Sequence, residues 1–342
     1  MTCSRKRVII FMKYLVKKYV FPLMDILLSP AVLLAAILLK FTRSLILNHN
    51  EMAFGHAKAT KFIFDKVGVF PVIDHYIDPL FQKKNLKRPL STERQLAAID
   101  WNVDGQVELI SSFHYEEELK KYPFDKPQQL GYYYNTVSFT PGDAEVLYSM
   151  VRKYKPGKII EIGCGMSTLL SVDAVRINKA ESGSYTCEYT CVEPYHVPWL
   201  ESIEEVKVHR DLVENLKPDM FKELNENDIL FIDSSHIIRP QGDVNLIYLE
   251  ILPVLKPGVI IHIHDIFSPA DMHEGFVFDS GLLYNEQYLL EAFLVCNPYF
   301  QVIGALSYLK RHYPELMLQK CPGMRKNFEA SEPRSFWIKR VS

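Results

Sequence analysis

The chain has 342 residues, a net charge of −2, and 48% hydrophobic against 23% charged residues. These are globular values that give no reason to expect a nucleic-acid partner, and the length allows two domains or one large domain with appendages. The six cysteines (Cys3, Cys164, Cys187, Cys191, Cys296 and Cys321) are dispersed. No second Cys/His pair follows Cys187 and Cys191 at zinc-finger spacing, so they read as free thiols in a reducing compartment.

Charge is uneven along the chain. Residues 1–50 carry a net +7, from Arg5, Lys6, Arg7, Lys13, Lys17, Lys18, Lys40 and Arg43 against Asp25, and leave about −9 on the remainder. A basic, apolar N-terminus on an acidic body suggests an anionic membrane surface. Residues 8–20 mix lysines with apolar residues at near-helical spacing, and Phe21 to Leu39 is a 19-residue run whose one charge is Asp25. That length suffices for a span. Pro30, Asp25 and the basic flanks favour a monotopic anchor, either an interfacial helix or a Pro-broken re-entrant hairpin. A true span and a helix packed on the protein's own body are the alternatives. No small-residue cleavage site follows Leu39, which argues against a signal peptide. The expected organisation is an anchor over 1–48, an accessory, substrate-covering segment over 49–135, and a main domain over 136–342.

In the accessory segment, Asp104 to Lys121 reads as helical, and Tyr132, Tyr133 and Tyr134 read as packing. Thr140-Pro141-Gly142-Asp143 predicts a helix start, with Thr140 as cap and Pro141 in the first position. The helix runs to about Tyr154 and is stopped by Lys155-Pro156-Gly157. Strands then alternate with helices: 158–162, 190–193, 206–208, 228–233 and 259–264, with a helix over 244–255 between the last two. A helix over 285–296, a strand over 300–304, a long insertion and a strand over 335–339 complete the chain. Apolar strands alternating with helices predict an α/β fold with a doubly wound, mostly parallel sheet.

Three strand ends concentrate polar chemistry. After the first strand, Gly163-Cys164-Gly165 makes a glycine turn into a helix opened by Ser167 and Thr168, a pocket of nucleotide type. A dinucleotide site prefers a third glycine where Thr168 stands. Glu161, two residues before Gly163, suits a cationic amino-acid end, and Glu193 at the second strand's tip suits two ribose hydroxyls. The fourth strand ends in Asp233-Ser234-Ser235-His236 and the fifth in His262-Ile263-His264-Asp265. In a parallel sheet both ends project from one edge, so Asp233, His236, His264 and Asp265 are expected to converge there. His262 reads as a core histidine.

At Glu161, Gly163, Gly165 and Glu193 the sequence resembles the class I S-adenosylmethionine-dependent methyltransferases. The resemblance spans about 140–340 and implies a seven-stranded Rossmann-like sheet with an antiparallel last strand. It implies that Glu161, Gly163, Gly165 and Ser167 line the methionine part of the cofactor. It also implies that Glu193 holds the ribose and that Asp211 approaches the adenine, with Cys164, Thr168, Asp233 and Ser234 completing the set. The strand ends resemble those of a subgroup acting on sugars and natural products, in which acids hold a divalent metal. Asp233, His264 and Asp265 are then the metal candidates, for Mg²⁺ or Mn²⁺, and His236, His264 and Asp265 the catalytic ones. The expected reaction is O-methylation of a sugar, glycolipid or secondary-metabolite hydroxyl, on the cytoplasmic, inner face of a membrane. The rival readings are an NAD(P)-dependent oxidoreductase and an inactive cofactor-binding membrane adaptor. The lack of a Tyr-x-x-x-Lys pair after the fourth strand counts against the oxidoreductase.

Overall fold

The computed structural model describes residues 16–48 and 58–342, so the reading of residues 8–15 lies outside it. Contacts divide the chain into two units, 1–86 and 87–342.

In the first unit a helical turn (Val16–Val20) leads into α1 (Phe21–Asn48). The helix does not break at Pro30, as a re-entrant hairpin requires. Proline removes the amide that bonds the Ile26 carbonyl, and Ser29 Oγ takes that carbonyl instead at 2.8 Å. Leu23, Ile26, Leu27, Val32, Leu33 and Ile37 are all exposed. The stretch Val16–Ser44 is long and apolar enough to cross a membrane, with a mean hydropathy of 2.2. α2 (Lys58–Val67) follows.

The second unit opens with α3 (Val103–Ser111). α4 (Asp143–Tyr154) starts two residues later than the Thr140 cap predicted, behind Gly142 at φ +97°. The Glu145 carboxylate caps the turn by accepting the Gly142 amide at 2.6 Å. The sheet is built from β1 (Lys158–Ile162), β2 (Glu188–Val192), β3 (Val206–His209), β4 (Ile229–Ile232), β5 (Ile260–Ile263), β6 (Phe300–Ala305) and β7 (Phe336–Arg340). Its order is β3-β2-β1-β4-β5-β7-β6. β1 to β5 pair in parallel, and β7 runs antiparallel to both β5 and β6.

Alternation along each buried strand sends successive side chains to opposite faces. Ile159, Tyr189, Phe231 and Trp337 join one core with Leu147, Val151 and Leu170, from α4 and α5 (Met166–Glu181). Ile160, Ile162, Leu230, Ile232 and Ile261 join a second core with Val244 and Leu290, from α6 (Asp243–Leu246) and α7 (Glu286–Leu294). Ile110, Phe113, Tyr132 and Tyr134, from the segment before α4, belong to the first core. The helix predicted over 244–255 is α-helical only at its start. It widens over Ile247–Ile251 and tightens over Leu252–Val254, where Pro253 removes an amide. The long insertion between β6 and β7 carries α8 (Leu306–His312) and α9 (Pro314–Lys320).

Candidate active site

Gly163 ends β1 at φ +79°, and a Cβ there would lie 1.9 Å from the Asp233 carbonyl. β1 and β4 approach so closely at their tips that only glycine fits. Gly165 is extended, and space is open around the position of its missing Cβ. The turn separates two cavities that share Gly163, Glu193 and Asp233. The larger, of about 270 Å³, is lined by Val192, Tyr195, Leu212, Val213 and Ser234 among others. The smaller, of about 190 Å³, is lined by Ser138, Phe139, Cys164, Gly165, Met166 and Ser167.

Two predicted contact residues lie elsewhere. Glu161 is fully buried, and its carboxylate accepts hydroxyls from Ser167 (2.6 Å), Tyr189 (2.7 Å) and Thr168 (2.8 Å). Burial pushes its pKa up to about 7, against the pull of those three donors. The residue expected to meet a cationic ligand end therefore ties the glycine turn to the sheet from behind. Thr168 also accepts the Gly165 amide at 3.1 Å, so it braces the turn where a third glycine was the alternative. Asp211 is exposed and accepts Leu212 N and Asn215 Nδ2. It lines neither cavity, whereas its successors Leu212 and Val213 do. Glu193, at the tip of β2, accepts the amides of Cys164 (3.0 Å) and Tyr195 (2.8 Å). Burial raises the Cys164 thiol well above its ordinary range and keeps it protonated.

Where β4 and β5 end, two non-glycine residues hold left-handed backbone, His236 at φ +59° and Asp265 at φ +56°. Such conformations cost free energy and persist only where the surroundings impose them. His236 is buried. Its Nε2 faces Asp233 Oδ1 at 3.1 Å and Asp265 Oδ2 at 3.5 Å, and its Nδ1 faces Glu286 Oε2 at 2.8 Å. Burial lowers the histidine's proton affinity, but bonds to Asp233 and Glu286 outweigh it and hold the pKa well above the ordinary value. The surrounding carboxylates thus favour the protonated form of the ring. Asp233 titrates below the usual carboxylate range, because the nearby imidazoles of His264 and His236 outweigh its own desolvation. Glu286 opens α7 with 1% of its side chain exposed, and the Asn285 and Glu286 amides both bond the His236 carbonyl.

His264 lies at the edge of this cluster: its Nε2 is 3.9 Å from Asp265 Oδ1 and accepts Arg334 Nε at 3.4 Å, and Arg334 also pairs with Asp265 Oδ1 at 2.5 Å. The three groups whose donor atoms lie within 4.8 Å of one another are Asp233, His236 and Asp265. His236 thus stands where the sequence placed His264 as a metal candidate. The cause is the twist of chain after β5: the Asp265 carboxylate turns toward β4 while His264 faces Phe139, its ring 5.1 Å away. His262 lies in the core, stacked on Phe231 at 3.9 Å and bonded to Ser335 Oγ at 2.8 Å.

Beside the cluster, Tyr284 lies against His236 with ring centroids 4.7 Å apart. Arg239 pairs with Glu214 at the rim of the larger cavity, and His273 lines another, of about 550 Å³. Glu286 belongs to the polar Asn285–Tyr288 opening of the helix expected over 285–296, which the sequence turns toward the site. Arg334 is not legible there, because it reaches the site only when β7 folds back against β5.

Residues 160–266 match a protein family described as "Methyltransferase domain". An uncharacterized protein of Archaeoglobus fulgidus is 25% identical over 173 residues, which are 47% of this chain and 76% of that protein. Among solved structures, the chain is similar to the S-adenosylhomocysteine-bound methyltransferase PaMTH1 of Podospora anserina, at 15% identity and a TM-score of 0.37, covering 70% of this chain and 88% of that one. It is also similar to an O-methyltransferase of Bacillus cereus in complex with S-adenosylhomocysteine, at 15% identity and a TM-score of 0.33, covering 70% and 91%. The family match over residues 160–266, on a sheet that carries the glycine turn, the acid ending β2 and the antiparallel last strand, identifies this stretch as a methyltransferase domain.

Proposed function

We propose that this domain methylates an oxygen, with the acceptor hydroxyl seated at Asp233, His236 and Asp265. The observation that carries this reading is the buried Glu286–His236 pair, aimed at two carboxylates on the edge where the glycine turn ends. In this reading Glu193 holds the ribose in the larger cavity, beside Ser234, and the Gly163–Ser167 turn receives the methionine end in the smaller one. S-adenosylmethionine would supply an electrophilic methyl group: the oxygen–methyl bond forms as the sulfur–methyl bond breaks, S-adenosylhomocysteine leaves, and the acceptor oxygen gives up its proton. His236 is placed to accept that proton, and Glu286 fixes its ring and tautomer. Asp233 and Asp265 hold the ring's Nε2 side, so His236 would act as the base in the form of this site that holds no metal.

The same three donors also suit a divalent metal such as Mg²⁺ or Mn²⁺. Two carboxylates and an imidazole converge, and the imidazole's other nitrogen is held by a buried carboxylate, as in ligating histidines. Such a metal would lower the pKa of an acceptor hydroxyl.

The acceptor we favour is a sugar, glycolipid or metabolite hydroxyl reached at a membrane surface, with α1 as the anchor. The test is incubation of the full chain and methyl-labelled cofactor with separate lipid and water-soluble cell extracts. Label in an alkali-stable ether supports the reading, and label in an amine or thiol product overturns it. Undiminished transfer in chelator removes the metal.

A further inference from the structure

We infer that residues 58–81 form a second membrane contact, with α2 lying flat in the headgroup layer of an anionic bilayer. The inference rests on α1 being embedded in that bilayer. At 100° per residue, Ala59, Phe62, Ile63 and Val67 share one side of α2, while Lys58, Lys61 and Asp65 share the other. Lys66 falls within the apolar arc, where its stem can lie along lipid while its ammonium reaches water. No residue of α2 is buried, and Phe62, Ile63 and Val67 are 66%, 56% and 66% exposed. Beyond the turn at Gly68, Val69, Val72 and Tyr76 are exposed as well. So many large apolar side chains within 20 residues of sequence form a patch of the kind that marks an interaction surface.

The chain itself sets the level at which this patch sits. Arg43, near the end of the apolar run of α1, pairs with Asp78 at 2.7 Å, with 7% and 6% of the two side chains exposed. Asp78 also accepts the Ile73 amide at 3.2 Å, and the Arg43 guanidinium lies 5.0 Å from the Phe70 ring. The stretch from 70 to 78 is thereby clasped to the end of α1, where Lys40 and Arg43 place the boundary between lipid tails and water. Three lysines against one aspartate give α2 a net positive charge. That favours anionic headgroups and disfavours a second copy of the same face.

The experiment uses the full chain with vesicles of phosphatidylcholine and phosphatidylglycerol, with and without bromine on the acyl chains. Tryptophan emission is read as the difference between a Phe62→Trp or Lys61→Trp variant and the unsubstituted protein. The inference predicts co-flotation, with roughly twofold quenching of the Phe62→Trp signal by brominated lipid and little of the Lys61→Trp signal. Co-flotation without quenching overturns the second contact and leaves the anchor standing. Failure to co-float overturns both. A blue-shifted but unquenched Phe62→Trp signal, with doubled mass in detergent, assigns the face to a second copy and overturns the lipid contact.

Discussion

At the scale of single residues, His236 holds the site together through charge. Replacing Glu286 by glutamine removes one of the carboxylates that raise its pKa, so the imidazole should titrate nearer its ordinary value. An NMR pH titration of the His236 ring checks this, and an unmoved midpoint would show that Glu286 does not tune it. His236→Gln should lower kcat by about 10²–10⁴-fold while leaving cofactor affinity within about threefold, since the ring lines neither cavity. Matching losses in both quantities would make the residue structural. Gly163→Ala should destabilise the fold by roughly 2–4 kcal/mol, because the new methyl meets the Asp233 carbonyl and the backbone is left-handed. A denaturant midpoint close to that of the unsubstituted protein would contradict the close approach.

At the scale of elements, two buried acids on the first turn of α4 stitch the C-terminal stretch to the sheet. Asp143 Oδ1 accepts the amides of Arg334 (2.8 Å) and Ser335 (2.7 Å), and Glu145 accepts those of Gly142 and Gly323. This is how Arg334 is delivered beside Asp265. Asp143→Ala strands two buried amides, at a cost of about 2–5 kcal/mol. It should also expose residues near Arg334 to protease at native pH; an unchanged digestion pattern would mean the stretch is held by other means. The strands and most helices are legible in the sequence because the apolar period and the glycine–proline stops agree. The start of α4 is not, because its cap is a glutamate three residues inside the helix, while Thr140 and Pro141 imitate a cap upstream. The Gly163–Gly165 turn, Glu193 and Asp233 are likewise legible from spacing alone. Whether His236 or His264 meets the aspartates is not, because it depends on left-handed backbone at His236 and Asp265. Glu161 illustrates the same limit: its position two residues before Gly163 is readable, but the three hydroxyls that enclose it come from α5 and β2.

At the scale of the whole molecule, two buried acids and His236 make stability fall as pH rises, while His262, whose burial lowers its pKa, works the other way only below about 6.5. Burial raises Glu145 and Glu161 from 4.5 to about 7, so the fold binds their protons more tightly than the unfolded chain does. The stability this gives is present below pH 4.5 and is lost as pH rises toward 7. Each acid accounts for up to roughly 3 kcal/mol. His236, raised above its ordinary value, adds stability that is complete below about 6.5 and lost as pH climbs through its folded pKa. Tm should therefore fall from pH 5 to pH 8, and Glu161→Gln should flatten that fall; an equal slope in the variant would contradict the buried proton. The anchor is tested at this scale too. Deleting residues 1–48 should move most of the protein from the membrane fraction to the soluble one, leaving only the weaker attachment of α2, and undiminished retention would place the main attachment elsewhere.

The central claim is that the glycine turn after β1, with the acid ending β2, seats S-adenosylmethionine. Calorimetry of the full chain with S-adenosylmethionine and, separately, with NAD tests it most directly. The account predicts one site for S-adenosylmethionine, weakened at least about tenfold by Glu193→Gln through the loss of charge-assisted bonds to the ribose, and no heat with NAD. Binding of NAD with none of S-adenosylmethionine would contradict it.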